Sequence, residues 1–165
     1  MLAGLPVDEM EMEEGCGGGV PKLVGELIKL AAMLKELETQ SHLIHVNAEG
    51  PTFLEVHAFL KERYEEHLEQ FDVVSELVRT LDHFMPMCAC GLKDALPAFK
   101  NVQSYETRSM LLTYYVNVEA FGYLAKSIER LAAEVEAPDV QNHMADLVGS
   151  AFKVSWQIKA MLRHC

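Results

Sequence analysis

Four side chains in this chain stand at spacings that suit metal chemistry: His45, His57, Asp72 and Glu76. Imidazole and carboxylate together form a donor set for Fe(II), and also for Zn or Mn. His45 lies shortly before the Gly50-Pro51 break and His57 shortly after it, so in an antiparallel helical hairpin they sit at one level on adjacent helices. His42 precedes His45 by three residues, one turn back on the same face, and is expected level with Leu60 or Lys61. Asp72 and Glu76 are four residues apart and share a face of the second helix, among Phe71, Val73, Val74 and Leu77. The plain alternative for this carboxylate pair is a solvated face beside Arg79.

One chain does not close such a site. His57 and Asp72 are separated by 15 residues of one helix, which is about 22 Å of rise. No histidine in the sequence has Glu three positions before it, so the Glu-x-x-His pairs of an in-bundle di-iron centre are missing. Two copies of the second helix, laid antiparallel about a twofold axis near Tyr64–Glu65, remove the difficulty. His57 of one copy then comes level with Asp72 of the other, and a twofold interface makes two identical sites. Each takes His45 and His57 from one subunit, and Asp72 and Glu76 from its mate.

The elements that must hold these residues are helical. Leu23, Leu27, Leu30, Leu34 and Leu37 recur at spacings of three and four and predict a helix over 21–47. Pro21 suits its first turn, and Glu49-Gly50-Pro51 stops it. Phe53, Val56, Leu60, Tyr64, Phe71, Val74 and Val78 mark a second helix to about residue 82. Residues 83–103, with Pro86, Gly91 and Pro97, read as a long connection with one short helix around Leu92–Leu96. A third helix runs from near Ser104 to about Glu136, and Pro138-Asp139 opens a fourth that reaches the C-terminus. Two antiparallel hairpins joined by one long second-to-third crossover define an all-α four-helix bundle. Residues 1–20, acidic and then glycine-rich, form a flexible tail, and 21–165 form the domain.

Composition narrows the function. With 165 residues, half of them apolar, the chain builds one real core and is not a disordered polymer. A net charge of −11 disfavours a general electrostatic grip on nucleic acid or an anionic membrane. No uncharged apolar run is long enough to span a bilayer. The first basic residue is Lys22, so a secretory signal is not expected and the cytoplasm is the expected compartment. Cys16, Cys88, Cys90 and Cys165 are then expected as reduced thiols. His83, Met85, Met87, Cys88 and Cys90 form a soft cluster with affinity for Cu(I) or zinc, against the plainer reading of packed loop residues.

The stretch HVNAEGPTFLEVHAFLKERYEEHLEQFDVVSE, from His45 to Glu76, resembles the Dps family of miniferritins, within the ferritin-like superfamily. The family pattern has His, then Gly and Phe, a second His twelve after the first, Asp fifteen later and Glu four after that. His45, His57, Asp72 and Glu76 match every spacing, and Trp156 falls where the family often has an aromatic. The resemblance implies a ferritin-like bundle and a homododecamer built from twofold dimers. It implies a ferroxidase that oxidises Fe(II), typically with hydrogen peroxide and otherwise with dioxygen, and stores ferric mineral in the cage, protecting against oxidative stress. Iron is the implied metal, with zinc as an alternative occupant of the same site.

Three positions depart from the family. Asp is common four residues after the second His, where this chain has Lys61; Lys is common three before the first, where it has His42. A protonated ammonium does not ligate, so His42 becomes a candidate ligand beside the four, giving a more histidine-rich site. Val46 stands where members often carry Trp, which leaves a role in absorbing stray oxidising equivalents without its usual residue. Family members that bind DNA usually do so with basic tails; the acidic tail here leads to the expectation of no DNA binding. Glu134, Glu136, His143, Asp139 and Asp146 fall where the family builds an acidic entry pore, although Asp139 equally suits a helix N-terminus. The alternative function is a cage with weak or altered ferroxidase chemistry that binds zinc or another divalent metal.

Overall fold

The computed structural model describes residues 18–163. The elements in chain order are α1 (Gly19–Asn47), α2 (Phe53–Thr80), the short α3 (Ala89–Ala95), α4 (Thr107–Glu134) and α5 (Pro138–Leu162). No strand occurs among the described residues, and four long helices with one short helix in the second-to-third connection match the expected all-α four-helix bundle. The helix ends fall close to those expected, with α1 beginning two residues earlier than Pro21. Residues 1–17 of the expected tail, Cys16 and Cys165 lie outside the described residues.

The apolar stripes build the core. Leu23, Leu27, Leu30, Leu34 and Leu37 are fully buried, so the three-four spacing faces the bundle interior. α1 packs on α2, α4 on α5, and α1 on α4, while α3 rests against α1. The Thr107 hydroxyl donates to the Glu49 carbonyl (2.9 Å) and accepts from the Glu49 N–H (3.1 Å). α4 therefore begins at the end of the bundle where α2 begins, and the chain must travel back along its full length to reach it. That return is the crossover. A buried amide staple pins it: Gln40 Nε2 and Asn117 Nδ2 both donate to the Lys100 carbonyl, and the Lys100 N–H donates to Asn117 Oδ1.

Non-glycine residues in the left-handed region end two helices. Asp82 (φ 60°) closes α2, with His83 N–H bonded to the Val78 carbonyl; Glu136 (φ 57°) closes α4, with Ala137 N–H bonded to Ala132. Both are the six-to-one bond of a Schellman end. Gly50, at φ 104°, supplies the turn between α1 and α2, a conformation that costs an L side chain strain. α4 starts at Thr107 rather than Ser104 because the Glu106 carboxylate accepts from the N–H groups of Arg108 and Ser109. An ionised cap is the stronger one at the positive end of a helix.

His67 and Tyr114 meet in the bundle interior, 4% and 0% exposed. Burial pushes the His67 pKa down to about 4, so the fold holds it neutral. Unfolding returns it to the ordinary value of 6.5. Stability is therefore undiminished by this group above pH 6.5 and falls as pH drops from there toward 4, by roughly 3 kcal/mol per chain in all. Thermal midpoints measured across that window should decline less steeply in His67→Gln than in the parent. Parallel curves would show that His67 already protonates in the folded chain.

Candidate metal centre

His45 ends α1 and His57 opens α2, and the two rings stack at 3.6 Å. Each Nδ1–H donates to the other residue's backbone carbonyl, His45 to His57 at 2.6 Å and His57 to His45 at 2.8 Å. The local reason is the helix end. The Glu49 N–H, which would continue α1 by bonding the His45 carbonyl, is taken by Thr107. That carbonyl is an orphan of the last turn, and the His57 ring satisfies it. Carbonyls only accept, so both histidines carry their hydrogen on Nδ1 and keep the Nε2 lone pair for a ligand. Fixing the tautomer through the second nitrogen is how a protein orients a metal-binding imidazole.

His42 stacks on Tyr64 at 4.0 Å, and the Tyr64 ring meets His45 edge-on at 5.4 Å. The expected level was Leu60 or Lys61, one turn earlier on α2. The difference follows from the tilt of side chains toward the N-terminus of their own helix. In an antiparallel pair the two tilts point toward one another along the axis, so His42 and Tyr64 meet diagonally. Lys61 places its ammonium 3.9 Å from Glu65 on its own helix, with both side chains more than half exposed. Such a pair holds its geometry weakly.

Asp72 and Glu76 are exposed near the far end of α2 and make no hydrogen bond or ion pair among the described residues. No three His, Cys, Asp or Glu converge on one point among the described residues. The chain thus gathers His42, His45 and His57 at one end of its first hairpin and leaves both carboxylates at the other. Yet His57, Lys61, Leu68, Asp72 and Glu76 fall within an arc of about 100° on α2. Leu54 shares that arc, and it and Leu68 are at least half exposed, as are Leu43 and Val46 on α1.

The soft cluster needs correction. Cys88 and Cys90 are joined in a disulfide, so neither is the expected thiol and neither sulfur is a thiolate ligand. Two residues of separation bring the pair within bonding reach at a Cα–Cα distance of 5.2 Å. His83 commits Nδ1 to the Leu81 carbonyl, and Met87 is 96% exposed rather than packed. At the α4–α5 junction Glu134, Glu136, Asp139 and Asp146 are exposed. His143 lies beside them with its Nε2 buried and unpartnered; burial lowers its pKa, against the pull of Asp146.

His67 was legible but unused by the sequence reading. It fills the gap between Tyr64 and Phe71 in the buried stripe of α2, a core position that does not suit a histidine without a partner. Its partner, Tyr114, comes from α4 and has no signal in the sequence around His67.

The sequence model of the ferritin-like domain matches residues 25–165. No curated protein matches the chain by sequence. Among solved structures it is similar to the Dps protein of Vibrio cholerae O1, described as a member of a broad superfamily of ferritin-like diiron-carboxylate proteins. Identity is 23%, coverage 88% of this chain and 91% of that one, and the TM-score 0.82. Dps from Thermosynechococcus elongatus gives 16% identity, coverage of 89% and 94%, and a TM-score of 0.85. A Dps protein from Bacillus brevis gives 16%, 90% and 100%, and 0.85.

Proposed function

For a chain that belongs to the ferritin-like domain family, we propose that it is an iron-oxidising and iron-storing miniferritin with its reaction sites between subunits. The observation that carries this reading is the reciprocal His45–His57 pair, whose two Nε2 lone pairs lack a carboxylate partner among the described residues. The exposed Asp72 and Glu76, unpaired among the described residues, are the complementary half. A twofold mate supplies Asp72 and Glu76 to His45 and His57, and the exposed Leu43, Val46, Leu54 and Leu68 give the contact its apolar surface.

Fe(II) is the substrate. Imidazole nitrogens and carboxylate oxygens bind it, and the carboxylates favour the Fe(III) product by their charge. Hydrogen peroxide takes one electron from each of two Fe(II) ions, or dioxygen serves in its place, and consuming Fe(II) and peroxide together suppresses hydroxyl-radical formation. His42, stacked on Tyr64, is the candidate ligand for a second ion, where Lys61 opposes binding by charge. The exposed acids of the α4–α5 junction draw Fe(II) toward an entry pore. Lys61 also favours a second reading, a cage that retains one divalent ion such as zinc and oxidises iron slowly. The proposed setting is the cytoplasm; no helix among the described residues is long and apolar enough to cross a membrane.

Anaerobic addition of Fe(II), followed by peroxide or dioxygen, should raise ferric absorbance in an assembly of about twelve times the 18.5 kDa chain. A stable monomer or lone dimer by light scattering would remove the cavity and the storage function with it. The assembly should also leave DNA unbound in a gel-shift at about 0.15 M salt, because a chain of charge −11 offers a polyanion little counterion release. A tight complex there would overturn the charge argument.

A further inference from the structure

The polar pair inside the bundle is built in one direction only. Glu66 is fixed in place by two contacts: Arg63 Nη1 lies 2.6 Å from its Oε2, and the Ser150 hydroxyl donates to its Oε1 at 2.6 Å. Gln70 Nε2 donates to the same Oε1 at 3.1 Å, which turns the Gln70 carbonyl oxygen toward His67. That oxygen accepts from His67 Nδ1–H at 3.2 Å. The other nitrogen, Nε2, is therefore a lone pair, and the Tyr114 hydroxyl donates to it at 2.8 Å. Tyr114 is the one phenol hydrogen-bonded to a histidine among the described residues.

Apolar residues of similar shape would fill this space at little or no cost in stability, so packing alone does not account for the pair. A phenol that loses an electron becomes a very strong acid, and it loses the electron readily only when a base is already in place for its proton. His67 Nε2 is that base, dry and aligned. Burial keeps the imidazole neutral and raises the pKa of the Tyr114 phenol, so the proton stays on Tyr114 until an oxidant arrives.

We propose that Tyr114 and His67 form a proton-coupled electron donor that quenches one-electron oxidants escaping from the iron site. The proposal rests on the iron-oxidising reading for the source of those oxidants. A hydroxyl radical, formed where a single Fe(II) meets peroxide, takes one electron from Tyr114 and becomes hydroxide. The Tyr114 proton moves to His67 Nε2, leaving a neutral tyrosyl radical beside an imidazolium. The next Fe(II) gives one electron to the radical and becomes Fe(III), and the proton returns from His67 to the phenolic oxygen. The sum is one hydroxyl radical and one Fe(II) converted to one hydroxide and one Fe(III). Tyr64 connects the two places: its ring stacks on His42 and meets His45 edge-on, and it lies one turn from His67 on α2. The reduced oxidant stays at the site while the radical rests where water and other chains do not reach it.

The test uses the full assembly in two arms. In the first, iron-free protein is flashed with a ruthenium polypyridyl photo-oxidant and persulfate, then frozen for electron paramagnetic resonance. A long-lived tyrosyl signal should form, and Tyr114→Phe should abolish it. His67→Gln keeps an acceptor for the hydroxyl but not a base for its proton, and should slow formation by about a hundredfold. Should Tyr114→Phe fail to assemble, the parent provides the assignment: a hydrogen-bonded proton coupling that vanishes in D2O and is altered in His67→Gln. A long-lived signal that survives both variants unchanged, or no such signal, overturns the proposal. The second arm adds Fe(II) and peroxide. Failure of ferric absorbance there overturns the iron-oxidising reading, while a Tyr114-dependent signal in the first arm still supports the pair.

Discussion

His57→Ala and Asp72→Ala should each lower the rate of Fe(II) oxidation by at least about a hundredfold, the loss expected when an ion loses a direct ligand as opposed to a supporting group. The two variants arrive there differently. His57→Ala removes one Nε2 donor and also leaves the His45 carbonyl without its hydrogen bond, so thermal stability should fall by about 1 kcal/mol. The backbone carbonyl of residue 57 remains, and His45 keeps its tautomer and its aim. Asp72 is exposed and unpaired among the described residues, so Asp72→Ala should leave the fold of the chain intact while the activity disappears. Stopped-flow ferric absorbance together with thermal melts separates the two effects. An Asp72→Ala chain that oxidises iron at the parental rate would remove the carboxylate from the site.

Lys61→Asp should act in the opposite direction. The substitution changes the local charge by two units on the face that carries His57 and Asp72. A unit charge at about 6 Å from a divalent ion near a protein surface is worth several kcal/mol before screening, so a second Fe(II) or Zn(II) should bind at least about tenfold more tightly, and oxidation should quicken. Little stability is lost, because the Lys61–Glu65 pair spans 3.9 Å between exposed side chains. Isothermal titration under anaerobic conditions measures the stoichiometry and the affinity. Unchanged occupancy and rate would mean that Lys61 faces away from the site in the assembly, and that the departure at this position has another cause.

The sequence made the bundle readable because leucine spacing, the Gly50-Pro51 break and the breakers Pro86, Gly91 and Pro97 each act locally. It made the His45–His57 level readable for a related reason: positions equidistant from a tight antiparallel turn must face one another. The diagonal meeting of His42 with Tyr64 needed the tilt of side chains along each helix, which a level count leaves out. The Cys88–Cys90 disulfide was obscured by an argument from compartment, whereas two residues of separation permit the bond wherever the loop curls back. The start of α4 fell at Thr107, past the expected neighbourhood of Ser104, because the Glu106 carboxylate accepts from the first free N–H groups of the helix. His67 stood in the apolar stripe in plain view, but its meaning depended on Tyr114, 47 residues away on another helix. Asp72 and Glu76 are a different case, since their proposed partners belong to a second copy and no single chain brings them to the histidines.

That dependence on a second copy is the central claim, and assemblies formed from mixed chains test it most directly. Chains carrying His57→Ala and chains carrying Asp72→Ala are unfolded together in equal amounts, refolded, and assayed for Fe(II) oxidation per subunit. If every site takes His57 from one chain and Asp72 from its mate, each mixed dimer holds one intact site and one lacking both groups. Random pairing then restores about a quarter of the wild-type rate, from two parents that are each inactive. Verified mixed assemblies that stay at the level of the parents would contradict the account.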